Sequence, residues 1–220
     1  MDRFGNHYVD WQKSRINAIE KYLSPNFLKG KSVHEIGCAY AFFGNYAYEK
    51  GASNVFVTDA RQEHIDIVKQ KYPLLNSSVL DADDITQLLN MENVDVIIHF
   101  GVLYHIKNII GNLQTLSTKC KYMILESEVC DSDDATDNLS VIESIYYDQA
   151  YHGIGSRPSQ QFVESILNIC GLLYRCILDP ILDTNCHNYS WEIKNTKEWK
   201  GGQRRFWICW KKDIDNPIIY

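Results

Sequence analysis

Between residues 32 and 126, short β-branched runs alternate with stretches of helical spacing, and this alternation constrains the fold more than any other feature. Ser32-Val33-His34-Glu35-Ile36 reads as a strand running into Gly37, and Phe42 to Lys50 as a helix stopped by Gly51. Asn54 to Thr58 is a second strand ending at Asp59, and Gln62 to Tyr72 a helix closed by Pro73. Val79-Leu80 is a weak third strand and Ile85 to Leu89 a short helix. Val94 to Phe100 is a strongly apolar fourth strand, Ile109 to Leu116 a helix, and Tyr122 to Glu126 a fifth strand. Such an order predicts an α/β fold with a parallel sheet, helices on both faces and ligands at the carboxyl ends of the strands. The site is therefore expected near Gly37, Asp59, Asp81, Phe100 and Glu126.

The flanks are read in the same way. Val9, Trp11, Ile16, Ile19 and Leu23 stand at helical spacing, so one or two leading helices end near Ser24-Pro25. Residues 126–148 carry eight acidic residues and no Lys or Arg, which reads as a solvated excursion. Pro158 fits the first residue of a helix running to Cys170, with Gly171 as its stop. Leu173 to Leu178 and Arg205 to Trp210 follow with no helix between them, so they are expected to pair as an antiparallel hairpin across a long insertion. This divides the chain into a helical cap over 1–30, a main domain over 31–212 and a tail over 213–220.

Composition excludes some functions. With 22 Lys plus Arg against 28 Asp plus Glu in 220 residues, the net charge is −6, which argues against holding nucleic acid by general electrostatics. Trp191 to Lys212 is locally +5, with seven basic and two acidic residues. That stretch suits either an anionic acceptor or a lysine-rich edge that discourages aggregation. No apolar run approaches the ~20 residues needed to cross a bilayer, so a cytoplasmic protein with no membrane partner is expected. Seven cysteines without a C-x-x-C pair read as reduced core thiols, with no metal site.

Three segments carry chemistry. In Gly37-Cys38-Ala39-Tyr40-Ala41, the glycine lets backbone approach a ligand, and Ala39 and Ala41 stand where a nucleotide loop usually has further glycines. Asp59 follows Gly37 by 22 residues, near the spacing at which a carboxylate reaches ribose hydroxyls. Asp81-Ala82-Asp83-Asp84 follows the third strand and can accept from an adenine amino group, while Asp83 or Asp84 can equally cap a helix.

EIGCAYAFFG (35–44), VTDA (57–60), LDADDI (80–85), VDVIIHFGVLYHI (94–106) and RRFWICW (204–210) together resemble the class I S-adenosylmethionine-dependent methyltransferases over roughly residues 30 to 212. FGVLYHI is most similar to the branch holding transfer-RNA wobble-uridine carboxymethyltransferases and small-molecule methyltransferases. The resemblance implies a Rossmann-like seven-stranded sheet of order 3-2-1-4-5-7-6, strand 7 antiparallel, and S-adenosyl-L-methionine as cofactor. It places Gly37 with its neighbours Glu35, Cys38 and Ala39 at the methionine moiety, and Asp59 with Ala60 at the ribose. Asp81, Ala82 and Asp83 would meet the adenine, with the Phe100 and Gly101 carbonyls near the amino group and sulfonium.

For the acceptor, His105 is the candidate general base and Tyr104 a positioning group, and a structural histidine is the alternative for His105. Tyr151, His152 and Arg157, on a glycine-containing segment, and Tyr8 and Trp11, on the leading helix, are expected to converge as a lid over the reacting methyl group. Arg157 would contact an anionic acceptor. The expected function is methyl transfer to an oxygen or nitrogen of a small, anionic or sugar-like molecule. The alternatives are a transfer-RNA-modifying methyl- or carboxymethyltransferase and a cofactor-binding scaffold without catalysis.

Overall fold

A computed structural model describes residues 6–144 and 146–219. Strands β1 (Ser32–Ile36), β2 (Asn54–Asp59), β3 (Asn76–Val79), β4 (Val94–Phe100) and β5 (Cys120–Glu128) pair in parallel. Strands β8 (Leu172–Ile177) and β9 (Arg204–Lys211) complete one seven-stranded sheet of order β3-β2-β1-β4-β5-β9-β8, with β9 antiparallel to both neighbours. Numbered within the sheet alone, this is the expected 3-2-1-4-5-7-6 order.

Alternation along each strand feeds two cores. Val96, Ile98 and Phe100 of β4 point to one face and join Phe43 and Ala47 of helix α2 (Phe42–Glu49) and Ile65 and Val68 of α3 (Gln62–Lys71). Trp11, Ala18 and Ile19 of α1 (Asn6–Tyr22) close the same face. Ile97 points the other way, toward Leu88 of α4 (Ile85–Leu89), Leu113 and Leu116 of α5 (Ile109–Lys119) and Val163 and Leu167 of α6 (Gln160–Ile169). Both faces are covered, which is why the strand reads as a near-continuous apolar run broken only by Asp95 and His99. The segments read as cap and tail meet where they are described: Leu23 bridges Ile218, and Ile219 N donates to Tyr22 O at 2.8 Å. Among the described residues no helix is long and apolar enough to cross a membrane.

Two expectations fail between β5 and α6. The helix does not begin at Pro158, which instead ends strand β7 (Ile154–Pro158). Ser159 caps α6, its Oγ accepting from Phe162 N at 2.9 Å, while Ser156 is buried inside β7. The acidic stretch is likewise not a solvated excursion. It contains β6 (Asn138–Ile142), paired antiparallel with β7, and Glu126, Glu128, Asp131 and Glu143 are all buried. Arginines from other parts of the chain neutralise Glu126, Glu128 and Glu143, a fact that the composition of the segment itself cannot reveal.

Candidate active site

The first motif is built on left-handed backbone. Gly37 (φ 62°), Ala39 (45°) and Ala41 (55°) all have positive φ, so the chain keeps the glycine-loop conformation even where it carries alanine, at a cost of roughly 1–2 kcal/mol per alanine. The turn is tied down by Cys38 N donating to Thr58 O at 2.8 Å and Ala39 N donating to Asp59 Oδ2 at 2.9 Å. A β-carbon on Gly37 would collide with the Val102 side chain, which occupies the space beside it. Ala41 has no side chain with which to cap α2. Glu35 supplies the missing acceptor from β1, its Oε2 taking Gly44 N at 2.7 Å. Burial pushes the Glu35 carboxyl up to about 8, against the pull of the Gly44 and Phe43 amides. Burial likewise raises the Cys38 thiol, so it packs as a small apolar group.

A first cleft, of about 670 Å³, opens at the carboxyl ends of β1, β2 and β4. Gly37, Ala39, Asp59, Ala60, Asp81, Ala82, Asp83 and Gly101 all line it. Asp59 Oδ1 accepts from Arg61 N at 2.9 Å, so this carboxylate organises its own loop as well as facing the cleft. Asp83 turns toward α5, accepting from Lys107 N and Asn108 N at 3.1 and 3.0 Å, and Asp84 caps α4. The strap joining β6 to β7 roofs the cleft through Tyr147, Asp148, Gln149, Tyr151 and His152. Arg61 Nη2 pins this strap by donating to Tyr146 O and Gln149 O at 2.8 and 2.9 Å, and His152 Nε2 lies 2.6 Å from Asp81 Oδ2.

Two further clefts adjoin the first. One, of about 740 Å³, is lined by Glu35, Gly37, Cys38, Ala39, Phe100 and Gly101 under Tyr8 and Trp11. Gly101 (φ 70°) donates its N–H to Glu126 Oε2 at 2.9 Å, and the Trp11 ring lies over it. The other, of about 680 Å³, brings together Tyr8, Trp11, Tyr104, His105 and Arg157 with Trp199 and Arg204. Tyr151 and His152 do not reach this last cleft; they belong to the first.

The walls of the last cleft are charged yet internally paired. Arg157 Nε lies 2.9 Å from Glu128 Oε2, and its Nη1 donates to Glu143 Oε1 at 2.9 Å. Its guanidinium carbon lies over the Trp199 and Tyr104 rings, 4.2 and 5.1 Å from their centroids. Arg204 donates to Glu126 and Glu128 at 2.9 and 3.2 Å. Burial works against the Arg204 charge, but the two carboxylates and Tyr104 outweigh it and hold the guanidinium protonated. Tyr104 accepts from Arg204 Nη2 at 3.1 Å, and burial pushes its phenol up to about 12, so it holds its proton at neutral pH. The terminal hairpin is therefore not a +5 surface patch: Arg204 and Arg205 are 5% and 1% exposed. His105 lines both the first and last clefts, with Nδ1 2.6 Å from Glu143 Oε2.

The donor set of the first cleft suits a cationic nucleoside. Asp59, Asp81 and Asp148 line it against the single guanidinium of Arg61, which favours hydroxyls and positive charge over a pyrophosphate. The methyltransferase-domain family matches residues 8–175. The chain belongs to that family. S-adenosylmethionine is the cofactor of its class I fold, and this methyltransferase has the sheet order that goes with it. Solved structures are similar in fold at low identity. The N-terminal domain of EvdMO1, crystallised with S-adenosylhomocysteine and D-fucose, aligns at a TM-score of 0.66 and 10% identity, over 94% of this chain and 84% of that one. Magnesium protoporphyrin IX methyltransferase from Synechocystis PCC 6803 with bound S-adenosylmethionine aligns at 0.62 and 14%, over 96% and 87%. An S-adenosylmethionine-dependent methyltransferase from Mesorhizobium loti aligns at 0.61 and 13%, over 84% and 92%. No curated protein sequence matches the chain significantly.

Sequence reasoning missed part of this methyltransferase's site. Glu128, Glu143, Asp148, Gln149 and Arg61 line or brace the clefts but carry no motif, and Arg204, inside RRFWICW, was read only as part of the terminal hairpin. Glu126 and Glu128 did carry one usable signal: acidic residues two apart on a strand share a face, and a pair on an otherwise apolar strand implies buried basic partners.

Proposed function

We propose that this methyltransferase transfers a methyl group to a hydroxyl or neutral amine of an uncharged small molecule held in the cleft of Tyr104, His105 and Trp199, with His105 as general base. The observation that carries this reading is the position of His105 on the wall shared by the first and last clefts, with an Nε2 that makes no hydrogen bond among the described residues.

The cofactor, when bound, supplies an electrophilic methyl group on a sulfonium. Gly37, Cys38 and Ala39 would hold its methionine part, Asp59 with Ala60 its ribose, and the loop from Asp81 to Asp83 its adenine, with Ala82 against the ring. Glu35 acts indirectly, by capping α2 and so fixing the loop. Tyr8 and Trp11 close the site from α1. At the acceptor, His105 Nε2 takes the proton released by the attacking group, while Tyr104 and Trp199 wall the molecule in and exclude water.

Charge accounting supports an uncharged acceptor over an anionic one. The guanidinia of Arg15, Arg157 and Arg204 are matched by the carboxylates of Glu126, Glu128 and Glu143, and Asp148 adds a negative charge at the cleft. Among the described residues that line this cleft, an anion would meet no arginine without a carboxylate partner. The D-fucose in the EvdMO1 domain crystal is in keeping with a sugar-like molecule.

The test combines calorimetry with S-adenosylmethionine and release of S-adenosylhomocysteine in the presence of D-fucose, a sugar phosphate or an arylamine, which is uncharged at neutral pH. Binding of the cofactor and transfer to an uncharged or amine acceptor are expected, with His105→Gln lowering turnover about 10²–10⁴-fold. Absence of cofactor binding would refute the function, and transfer confined to the sugar phosphate would refute the uncharged acceptor.

A further inference from the structure

Glu143 lies on the β6–β7 hairpin, 38 residues from His105, and is 8% exposed. Its carboxylate gathers three donors from three directions. Oε2 faces His105 Nδ1 at 2.6 Å and takes Ala150 N at 2.7 Å, and Oε1 takes Arg157 Nη1 at 2.9 Å. Burial would push this carboxyl up, yet the hydrogen bond and charge of His105, with the Ala150 amide and Arg157, hold it down at about 2. An ionised carboxylate can only accept, so the proton between the two groups sits on Nδ1, and whenever the ring is neutral its lone pair is on Nε2.

The partners of Glu143 also belong to the roof of the site. Ala150 is in the strap that Arg61 pins through Tyr146 O and Gln149 O. Gly155 lets the hairpin lie directly on the turn that carries His105, because a β-carbon there would collide with both Glu143 Oε1 and Tyr104 O. The glycine of this segment is thus a close-packing requirement. Lifting the strap would carry Ala150 away from Glu143 and loosen the carboxylate that orients the imidazole.

We propose that Glu143 is a positioning residue that fixes His105 as its Nδ1–H tautomer with Nε2 bare, and that this arrangement is complete only while the strap is closed over the clefts. The inference rests on the reading of His105 as general base. It adds a reason why the base and the cofactor roof are built from one hairpin: a histidine able to remove a proton forms only when water has been excluded.

Long-range nitrogen–proton NMR of His105 in the full chain, with and without S-adenosylhomocysteine, reads the tautomer without any acceptor. The wild-type spectrum is expected to show Nδ1–H. In Glu143→Gln the excess of that form should fall at least about tenfold, because a charge-assisted bond has become a neutral one. Arg61→Ala, which touches neither group, is expected to speed amide exchange at Ala150 and to lower the same excess. An Nε2–H wild type, or an unchanged tautomer in Glu143→Gln, overturns the positioning role. Faster exchange in Arg61→Ala with an unchanged tautomer overturns the coupling to the strap. His105→Gln separates the two readings: methyl transfer retained in that variant removes the general base and leaves the tautomer result standing.

Discussion

Replacing Glu126 by Gln keeps the shape of the side chain and removes one buried charge. Glu126 is fully buried and takes four donors: Tyr189 Oη at 2.6 Å, Gly101 N and Arg204 Nη1 at 2.9 Å, and Arg15 Nη2 at 3.5 Å. Arg204 would keep Glu128, but Arg15, itself 0% exposed, has no other ion-pair partner among the described residues. Its guanidinium would be left with the Trp11 and Tyr189 ring faces, whose centroids lie at 4.5 and 4.8 Å, and with neutral acceptors. Breaking a buried pair from one side costs about 3–5 kcal/mol, because the remaining charge stays desolvated and unmatched. For a chain of this size each kcal/mol lowers Tm by about 2–4 °C, so a fall of roughly 6–20 °C is expected by calorimetry or circular dichroism. The same loss should shrink in an Arg15→Met background, by a coupling of roughly 0.5–3 kcal/mol. A fall in Tm below about 2 °C, or strict additivity of the two substitutions, would show that this carboxylate is not the counter-charge holding the arginines.

Three further outcomes are expected. Asp59→Ala should weaken S-adenosylmethionine binding at least about tenfold by calorimetry, since the carboxylate that anchors Ala39 N and Arg61 N is lost; unchanged affinity in a folded variant removes Asp59 from the site. Gly37→Ala should cost roughly 1–2 kcal/mol from its positive φ alone, plus displacement of Val102, and should lower cofactor affinity as the loop shifts; a wild-type Tm speaks against this account. Glu35 has a folded value of about 8 against an ordinary 4.5, so the folded state binds its proton more tightly than the unfolded one. Its contribution is full below about pH 4.5 and is lost as pH rises toward about 8, and Glu35→Gln should flatten that decline in urea melts; an unchanged slope rejects it.

The layered α/β architecture was legible because its signals are local. VDVIIHF can be buried on both faces only as an inner parallel strand, and Gly37, Asp59 and Asp81 sit at strand ends wherever such strands pair. Alternation from residue 32 to 126 was enough to predict a parallel sheet, its strand order came from the family resemblance, and the missing α-helix between Leu172–Ile177 and Arg204–Lys211 was enough to turn its last strand antiparallel.

The acceptor side depended on pairings between residues far apart in the chain. Eight acidic residues in a row of 23 look solvated until Arg204 arrives across β9 to meet Glu126 and Glu128, and Arg157 across β7 to meet Glu143. Gly155 is one glycine in a loop-like segment until the turn of Tyr104 is laid against it. Sequence alone determined which backbone layers form and where their ends meet, since hydrophobic period and turn chemistry act over a few residues. Only the tertiary structure decided which charges are buried and which nitrogen of His105 faces the Glu143 carboxylate, because the energy of a buried ion depends on the partner brought to it in space.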